Sequence, residues 1–477
     1  MGPLWPDAGC CPRTASARGS SALPSLLCRC GNGSCLASTM TGRFDFMRLP
    51  SLHDRPPEPA EGGSWAATAS PAPPAVPGHI AVSRPPVSAE DIALVRASLE
   101  VVGPYVAELA GHFYSILFAR YPQVRDLFPA DLDVQRERLV RGLLRIVELV
   151  DDPDNLVAFC SRLGRGHRKF GTQSAHYPAV GECLLQALAQ YAGPAWSPAL
   201  EAAWQRAYSA AAGVMARAAE EDARERPAVW DAHIVEHVHR GNGIAEITVQ
   251  PQQPYPFVAG QYVTVETPWA PRHWRQYSPA HAPRPSSELT FHVRAVPGGK
   301  VSNGLVHHAR LGDPLRLGPP EGDMVLRPNR QRDLLFVAGG TGLAPIRALI
   351  EEVARDGVGN VQEVSLFIGA RTADELYGLN DMLRMSQRYH WLRVRAAVSH
   401  ERIAGLEGTL PEVLAEFGPW YRHEAYLCGP PQMLGDAVQA LRRHGVPPQH
   451  IHYDPWDTPV LTAPLGPPPS DEETDEL

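Results

Sequence analysis

The chain has 477 residues, with 44 Lys and Arg set against 52 Asp and Glu for a formal net charge of -8. That length allows two or three packed domains, and the negative balance argues against a generic nucleic-acid or anionic-membrane binder. No apolar run approaches the ~20 residues of a membrane-spanning helix. The apolar core from Leu23 to Leu27 is too short for a signal peptide, so a cytoplasmic protein is expected.

Residues 1–84 are rich in Pro, Gly, Ser and Ala with almost no apolar period, and are expected to form a disordered leader. Five of the eight cysteines fall here: Cys10, Cys11, Cys28, Cys30 and Cys35. The last three could hold a metal, but no closing pair at zinc-site spacing follows, and reduced thiols in an unstructured leader are the simpler reading. Met40 or Met47 could be the start of translation. From Val87 the character changes. Ser88-Ala89-Glu90-Asp91 reads as a capped helix start, and apolar residues then recur at helical spacing, as at Val106, Leu109, Phe113 and Leu117. The pattern predicts an all-α domain of six or more helices over 85–226.

Within it His167 lies on a helix, with Tyr177 at the head of the next one. A lone helical His is ordinarily a surface or core residue. Here Tyr114, Phe128, Gln135 and Leu139 are available for the opposite side of a haem, which needs one imidazole on one face and a tuned pocket on the other.

From about Trp230 the period becomes two, with strands at Ile244 to Val249, Tyr262 to Val265 and Leu289 to Arg294, which predicts a small antiparallel barrel over 229–329. It carries Gly260-Gln261-Tyr262, then Arg275-Gln276-Tyr277-Ser278, then Gly298-Gly299-Lys300-Val301-Ser302-Asn303. The Arg275 guanidinium suits a diphosphate, and the Tyr277 phenol and Ser278 hydroxyl suit a flat heterocycle. A glycine pair running into a helix start offers amides to phosphate. Alone, each of these motifs could be ordinary surface.

After Arg332 short apolar strands alternate with helices, predicting a doubly wound α/β domain over 332–457. Its ligand should sit at the carboxyl ends of the strands. The first strand runs into Gly339-Gly340-Thr341-Gly342-Leu343-Ala344-Pro345, which is not the G-x-G-x-x-G fingerprint. A later strand ends in Cys428-Gly429-Pro430, where the thiol either edges a cofactor or is simply a buried Cys before a turn. A Pro-rich acidic tail, 458–477, closes the chain.

Gly111-His112-Phe113-Tyr114, Leu127-Phe128, Gln135-Arg136-Glu137 and the run from His167 to Leu185 resemble the globin domain of bacterial flavohaemoglobins. Arg275-x-Tyr277-Ser278, the Gly-Gly-x-Val-Ser-Asn loop, the turn at Gly340 and Gly342 and Cys428-Gly429-Pro430 resemble the ferredoxin-reductase family of flavoproteins. The resemblance spans 86–457 in the flavohaemoglobin order. It implies haem b held by His167, with Tyr177 bracing that ring, Tyr114 and Gln135 facing bound oxygen, and Phe128 and Leu139 lining the pocket. It implies FAD along Tyr262, Arg275, Gln276, Tyr277 and Ser278 and the loop residues Gly298, Gly299, Val301, Ser302 and Asn303. It implies NAD(P)H between Gly340, Thr341, Gly342 and Pro345 on one side and Cys428, Gly429 and Pro430 on the other, with Asp454 and Trp456 near the flavin.

The implied activity is nitric oxide dioxygenation, in which electrons pass from NAD(P)H through FAD to haem and nitric oxide and dioxygen become nitrate. Two other readings stay open: a divergent relative with another substrate, such as an organic acid or quinone, and a haem-based oxygen or redox sensor. A monomer binding only small molecules is expected, with NADH favoured over NADPH, although Arg371-Thr372 could accept a 2′-phosphate. Two departures bear on the haem. Ala219 stands where the family carries a Glu behind the proximal His, and Gly166 replaces the usual basic residue before it, which points to Arg165 or Arg168 for the haem–flavin contact.

Overall fold

The computed structural model describes residues 87–327, 332–357, 363–402 and 408–453. The cysteine-bearing leader, the acidic tail, Asp454 and Trp456 lie outside them.

The helical part consists of α1 (Ala89–Val102), α2 (Val106–Arg120), α3 (Asp133–Glu148), α4 (Pro153–His167), α5 (His176–Ala192) and α6 (Pro198–Glu225), joined by short 3-10 turns. The Ser88 hydroxyl accepts from the Asp91 N–H, and the Asp91 carboxylate accepts from the Ser88 N–H, which starts α1 as a capping box. The same carboxylate pairs with Arg206 on α6, whose guanidinium holds it well below the usual carboxylate range. First and last helices are thereby tied. Between them lies Trp204, whose indole N–H donates to Ser98 Oγ at 3.0 Å. Gly164 lets α4 cross α6 closely, because a Cβ there would collide with the backbone of Met215.

Six antiparallel strands follow: β1 (Trp230–Gly241), β2 (Ile244–Pro251), β3 (Tyr262–Thr267), β4 (Ala270–Tyr277), β5 (Leu289–Arg294) and β6 (Pro314–Glu321), in the order β4-β3-β6-β1-β2-β5. A bridge between Pro279 and Phe291 joins the end of β4 to β5 and curls the sheet on itself. Trp230, Ile247, Val263, Val265, Phe291 and Leu317 fill its interior. A short helical turn, α7 (Lys300–Asn303), caps one end.

The last part alternates β7 (Asp333–Gly339), α8 (Leu343–Asp356), β8 (Val364–Ala370), α9 (Leu379–Arg388), β9 (Leu392–Val398), α10 (Leu410–Phe417), β10 (His423–Cys428), α11 (Pro431–Arg443) and β11 (Ile451–Tyr453). The strands are parallel in the order β11-β10-β7-β8-β9. Apolar cores lie on both faces, which is why these strands read as continuous hydrophobic runs. The strand order reverses beside β7, so the glycine turn after β7 opens at the switch point of the sheet. No helix of the described residues is long and apolar enough to cross a membrane.

Candidate functional site

His167 is the last residue of α4, where the chain tightens into a 3-10 turn that ends at Gly171 with φ 83°. Its Nδ1 lies 3.4 Å from Tyr177 Oη. The Tyr208 hydroxyl on α6 donates to the Tyr177 carbonyl at 2.7 Å, fixing the residue that touches His167. Burial first, then the nearby Lys169 cation, pushes His167 down to about 4, so the ring is neutral at pH 7. With the proton on Nδ1, the Nε2 lone pair is left for a metal. Among the described residues no group of three or more His, Cys, Asp or Glu could hold a metal ion. A single neutral imidazole of this kind suits a haem iron, which takes one protein ligand on that face.

Tyr114 of α2 is 3% exposed, within an aromatic cluster formed with Phe113, Phe118 and Phe128. Its hydroxyl donates to the Gln135 carbonyl at 3.4 Å, a long bond that is easily re-aimed. Burial pushes this phenol up to about 12, so it stays a donor. Leu139 packs half-buried against the same cluster. The Arg125 guanidinium holds the carbonyls of Phe128, Pro129 and Ala130 at 3.2, 2.9 and 3.0 Å, which sets the segment carrying Phe128. A neutral imidazole backed by a phenol, and an apolar wall holding one donor, fit a haem. The expected carboxylate behind Tyr177 is missing among the described residues. Glu220, next to Ala219, instead accepts from Ser174 Oγ at 2.7 Å.

On β4, Arg275 donates from Nη1 to the Trp274 carbonyl at 2.9 Å and has no carboxylate partner among the described residues. Its remaining donors are open to an anion. The half-buried Tyr277 and Ser278 hydroxyls likewise make no hydrogen bond among the described residues, while Gln276 is exposed. Tyr262 donates to Glu321 at 3.2 Å. In the glycine loop, Ser302 and Asn303 turn inward. Ser302 Oγ accepts from the Val296 N–H at 3.3 Å, and Asn303 Nδ2 donates to the carbonyls of Val296 and Gly299 at 2.8 and 2.7 Å. These side chains brace the loop with Gly298 at φ 71° and Val301 buried, and the amides that open α7 have no intrahelical acceptor. This open donor set fits a flavin dinucleotide.

The carboxyl ends of β7 and β10 are pressed together by glycines. A Cβ on Gly342 would collide with the Cys428 carbonyl, and one on Gly429 would come within 3.0 Å of the Gly339 nitrogen. Gly340, at φ 54°, passes beside the Arg294 guanidinium. Thr341 is half-buried, Pro345 is in the first turn of α8, and Pro430 caps α11, so the N-termini of both helices lie beside these glycines, where their amides suit phosphate.

Sequence reasoning missed the residue that crosses from the helical part to the antiparallel sheet. It is Lys169, only 9% exposed, whose Nζ donates to Thr264 Oγ1 at 3.0 Å and lies 5.6 Å from the ring centres of both Phe170 and Trp274. Phe170 meets Trp274 edge to face at 6.3 Å. Arg168 stays within the helical part and its linker, pairing with Asp222 and the Arg226 carbonyl. Arg165 makes no hydrogen bond or ion pair among the described residues. The expected Arg165 or Arg168 contact is therefore replaced by Lys169, two residues after His167. The signal available in the sequence was a basic residue two positions after the candidate ligand His167.

The sheet meets the α/β part differently. Glu246 on β2 accepts from Tyr377 Oη and pairs with Arg240, each at 2.7 Å. His281 Nδ1 lies 2.8 Å from Glu351, and Asn242 Nδ2 donates to the Asp374 carbonyl at 2.7 Å. His292 sits 3.7 Å from Glu246 with neither ring nitrogen hydrogen-bonded among the described residues, and burial pushes it down to about 3.

Comparison with known proteins follows the same division. The globin profile matches residues 111–215, the oxidoreductase FAD-binding domain 236–325 and the oxidoreductase NAD-binding domain 336–439. The flavohemoprotein of Halalkalibacterium halodurans is 27% identical over 400 residues, covering 77% of this chain and 96% of that one. In domain content and order the chain is similar to the flavohaemoglobins. Its fold is that of the flavohemoglobin of Malassezia yamatoensis with bound FAD and heme, with a TM-score of 0.66 at 18% identity over 77% of this chain and 99% of that one. The reductase component of the naphthalene 1,2-dioxygenase system of Pseudomonas putida is 30% identical over 217 residues, covering 44% of this chain and 64% of that protein. With a globin domain followed by FAD-binding and NAD-binding oxidoreductase domains, this chain is a haem-, FAD- and NAD(P)-dependent oxidoreductase.

Proposed function

We propose that the chain is a nitric oxide dioxygenase. The observation that carries this reading is the Tyr114 phenol, a single long-bonded donor buried in an aromatic wall, in a chain that also has the neutral His167 imidazole. When bound, the cofactors divide a hydride into single electrons for iron, where each conversion of nitric oxide and dioxygen to nitrate takes one electron. Tyr114 would donate its hydrogen bond to a ligand carrying negative charge, an electrostatic aid of the oxyanion type. The 3.4 Å bond to the Gln135 carbonyl is weak enough to be given up for that purpose. Gln135 and Leu139 on α3, with Phe128, shape the same pocket and keep bulk water out. Tyr177 holds the His167 ring at one angle and on one tautomer. Arg275 would hold the flavin diphosphate, with Tyr277 and Ser278 available to its ring system. The Gly340 to Pro345 turn and Cys428 to Pro430 would receive the nicotinamide nucleotide. No general base is required of the protein. The test is nitric oxide consumption by the haem- and FAD-loaded protein with NADH in air, with nitrate as product. Near-zero turnover at full cofactor occupancy overturns the reading.

A second reading has one observation in its favour. No carboxylate backs Tyr177 among the described residues, because Glu220 is turned to Ser174, so the push of electron density toward iron is weaker than in a Glu-backed site. The same path would then serve another acceptor, such as a quinone. NADH-driven quinone reduction that outpaces nitric oxide consumption would select it.

A further inference from the structure

Arg371 is the first residue after β8, and β8 pairs in parallel with β7 so that Gly369 faces Gly339. Arg371 therefore emerges on the same edge as the Gly340–Gly342 turn, one strand away, or about 4.8 Å across the ladder. A dinucleotide with its diphosphate at that turn lays its adenosine ribose over the end of the neighbouring strand. An exposed arginine there would normally read a 2′-phosphate. This one is already engaged. Glu375 takes the Arg371 backbone N–H at 3.3 Å, Nε at 3.0 Å and Nη2 at 2.5 Å on a single carboxylate. The Arg371 side chain is 70% exposed, so solvent access is not what keeps an anion from it. A second carboxylate, Glu401, holds the Ala373 N–H of the same turn at 2.9 Å.

We infer that Glu375 is the coenzyme-selectivity residue of this oxidoreductase. It fills the Arg371 fork with an internal carboxylate, so that a ribose 2′-hydroxyl is accepted and a 2′-phosphate is refused. The donors that grip Glu375 bidentately are the ones a phosphate would need. A phosphate dianion arriving there also meets the charges of Glu375 and Glu401, and this repulsion supplies discrimination without any loss of affinity for NADH. Arg294, beside Gly340 on the diphosphate side, stays available to either coenzyme.

The inference rests on the nicotinamide path proposed above, and the test separates the two. Flavin reduction by NADH and by NADPH is followed anaerobically in the holoprotein, and binding of adenosine 2′,5′-bisphosphate and of AMP is measured by titration calorimetry. Glu375→Gln should lower the NADPH KM by about tenfold or more, the scale of one charge-assisted hydrogen bond. It should leave the limiting rate and the NADH KM unchanged. Affinity for the bisphosphate should rise in parallel, with AMP unaffected, and adding Arg371→Gln should cancel both gains. Unchanged NADPH KM and bisphosphate affinity in Glu375→Gln overturn the selectivity role while leaving the electron path intact. Failure of both coenzymes to reduce the flavin overturns the path and the role together.

Discussion

The two junctions of this chain solve the same problem in opposite ways. Where the antiparallel sheet meets the α/β part, Glu246, Arg240, Tyr377, His281, Glu351, Asn242 and Asp374 form a set of paired polar groups. Where it meets the helical part, one buried lysine reaches one threonine between two aromatic rings. The first consists of several separate pairs, and in the Glu246 group the loss of one carboxylate strands both Tyr377 and Arg240. The second has fewer polar contacts among the described residues, the Lys169–Thr264 bond and an exposed Lys300–Asp131 pair at 3.6 Å, beside the Phe170–Trp274 ring contact. The flavin and nucleotide parts thus share more polar pairs with each other than the helical part shares with the sheet.

The largest effect should come from breaking the Glu246 group. Glu246→Ala leaves the Tyr377 hydroxyl and Arg240 without their acceptor, and should cost about 2–3 kcal/mol. Urea unfolding followed by flavin fluorescence should shift, while the haem-monitored transition of the helical part should not. A joint shift of both signals would mean that the junctions are not independent.

Acid should act on the same side. The folded pKa of His292, about 3, lies below the 6.5 of an unfolded histidine, so as pH falls the unfolded chain takes up its proton first. Stability contributed at neutral pH is lost from about pH 6.5 downward, by an amount on the order of a few kcal/mol. Glu246 adds to the loss at lower pH, since its folded pKa is depressed, mainly by its bonds to Arg240 and Tyr377, which outweigh the opposing effect of burial. His292→Gln should flatten the upper part of this profile in thermal melts at stepped pH. An unaltered profile would remove His292 from the account.

At the junction with the helical part, Lys169→Met replaces a buried charge by an apolar chain of similar length and should change stability by under about 1 kcal/mol. Electron transfer from reduced flavin to haem, timed by stopped-flow, should nevertheless slow by about tenfold, as one charge-assisted contact is lost from the docked arrangement. Flavin reduction by NADH should be untouched. An equal slowing of both steps would point to general damage. The smallest effect belongs to Tyr177→Phe. Its 3.4 Å contact is worth about 0.5–1 kcal/mol, read as a lowered iron–histidine stretching frequency in resonance Raman spectra.

Motifs whose function depends on the backbone were legible in the sequence, because glycine and proline announce conformation directly. Gly340 and Gly342 mark the tight turn, and Arg275 to Ser278 were singled out by residue type at the end of what proves to be β4. The folding class of each third followed from apolar spacing in the same way. The strand Pro314–Glu321 was harder, since Gly318, Pro319 and Pro320 read as breakers, yet Tyr255 holds the Gly318 carbonyl at 2.6 Å and the strand pairs with two neighbours. The three-residue β11 is too short to show a period at all. Lys169 was illegible for another reason. Its surroundings are made by Thr264 and Trp274, about a hundred positions away, and no local pattern says that a lysine will be buried by a distant strand. Ser302 and Asn303 were read as part of the cofactor loop, and only their hydrogen bonds show that they hold its shape.

Gly318 gives the junction with the helical part its sharpest consequence. A methyl group at that position would strike the Thr264 hydroxyl and come within 3.3 Å of Lys169 Cδ, and the peptide cannot easily swing aside because Tyr255 pins its carbonyl. One added carbon would therefore act as an insulator between two intact circuits. The flavin half would still draw current from its nicotinamide donor and the haem half would still hold its ligand, with no wire between them.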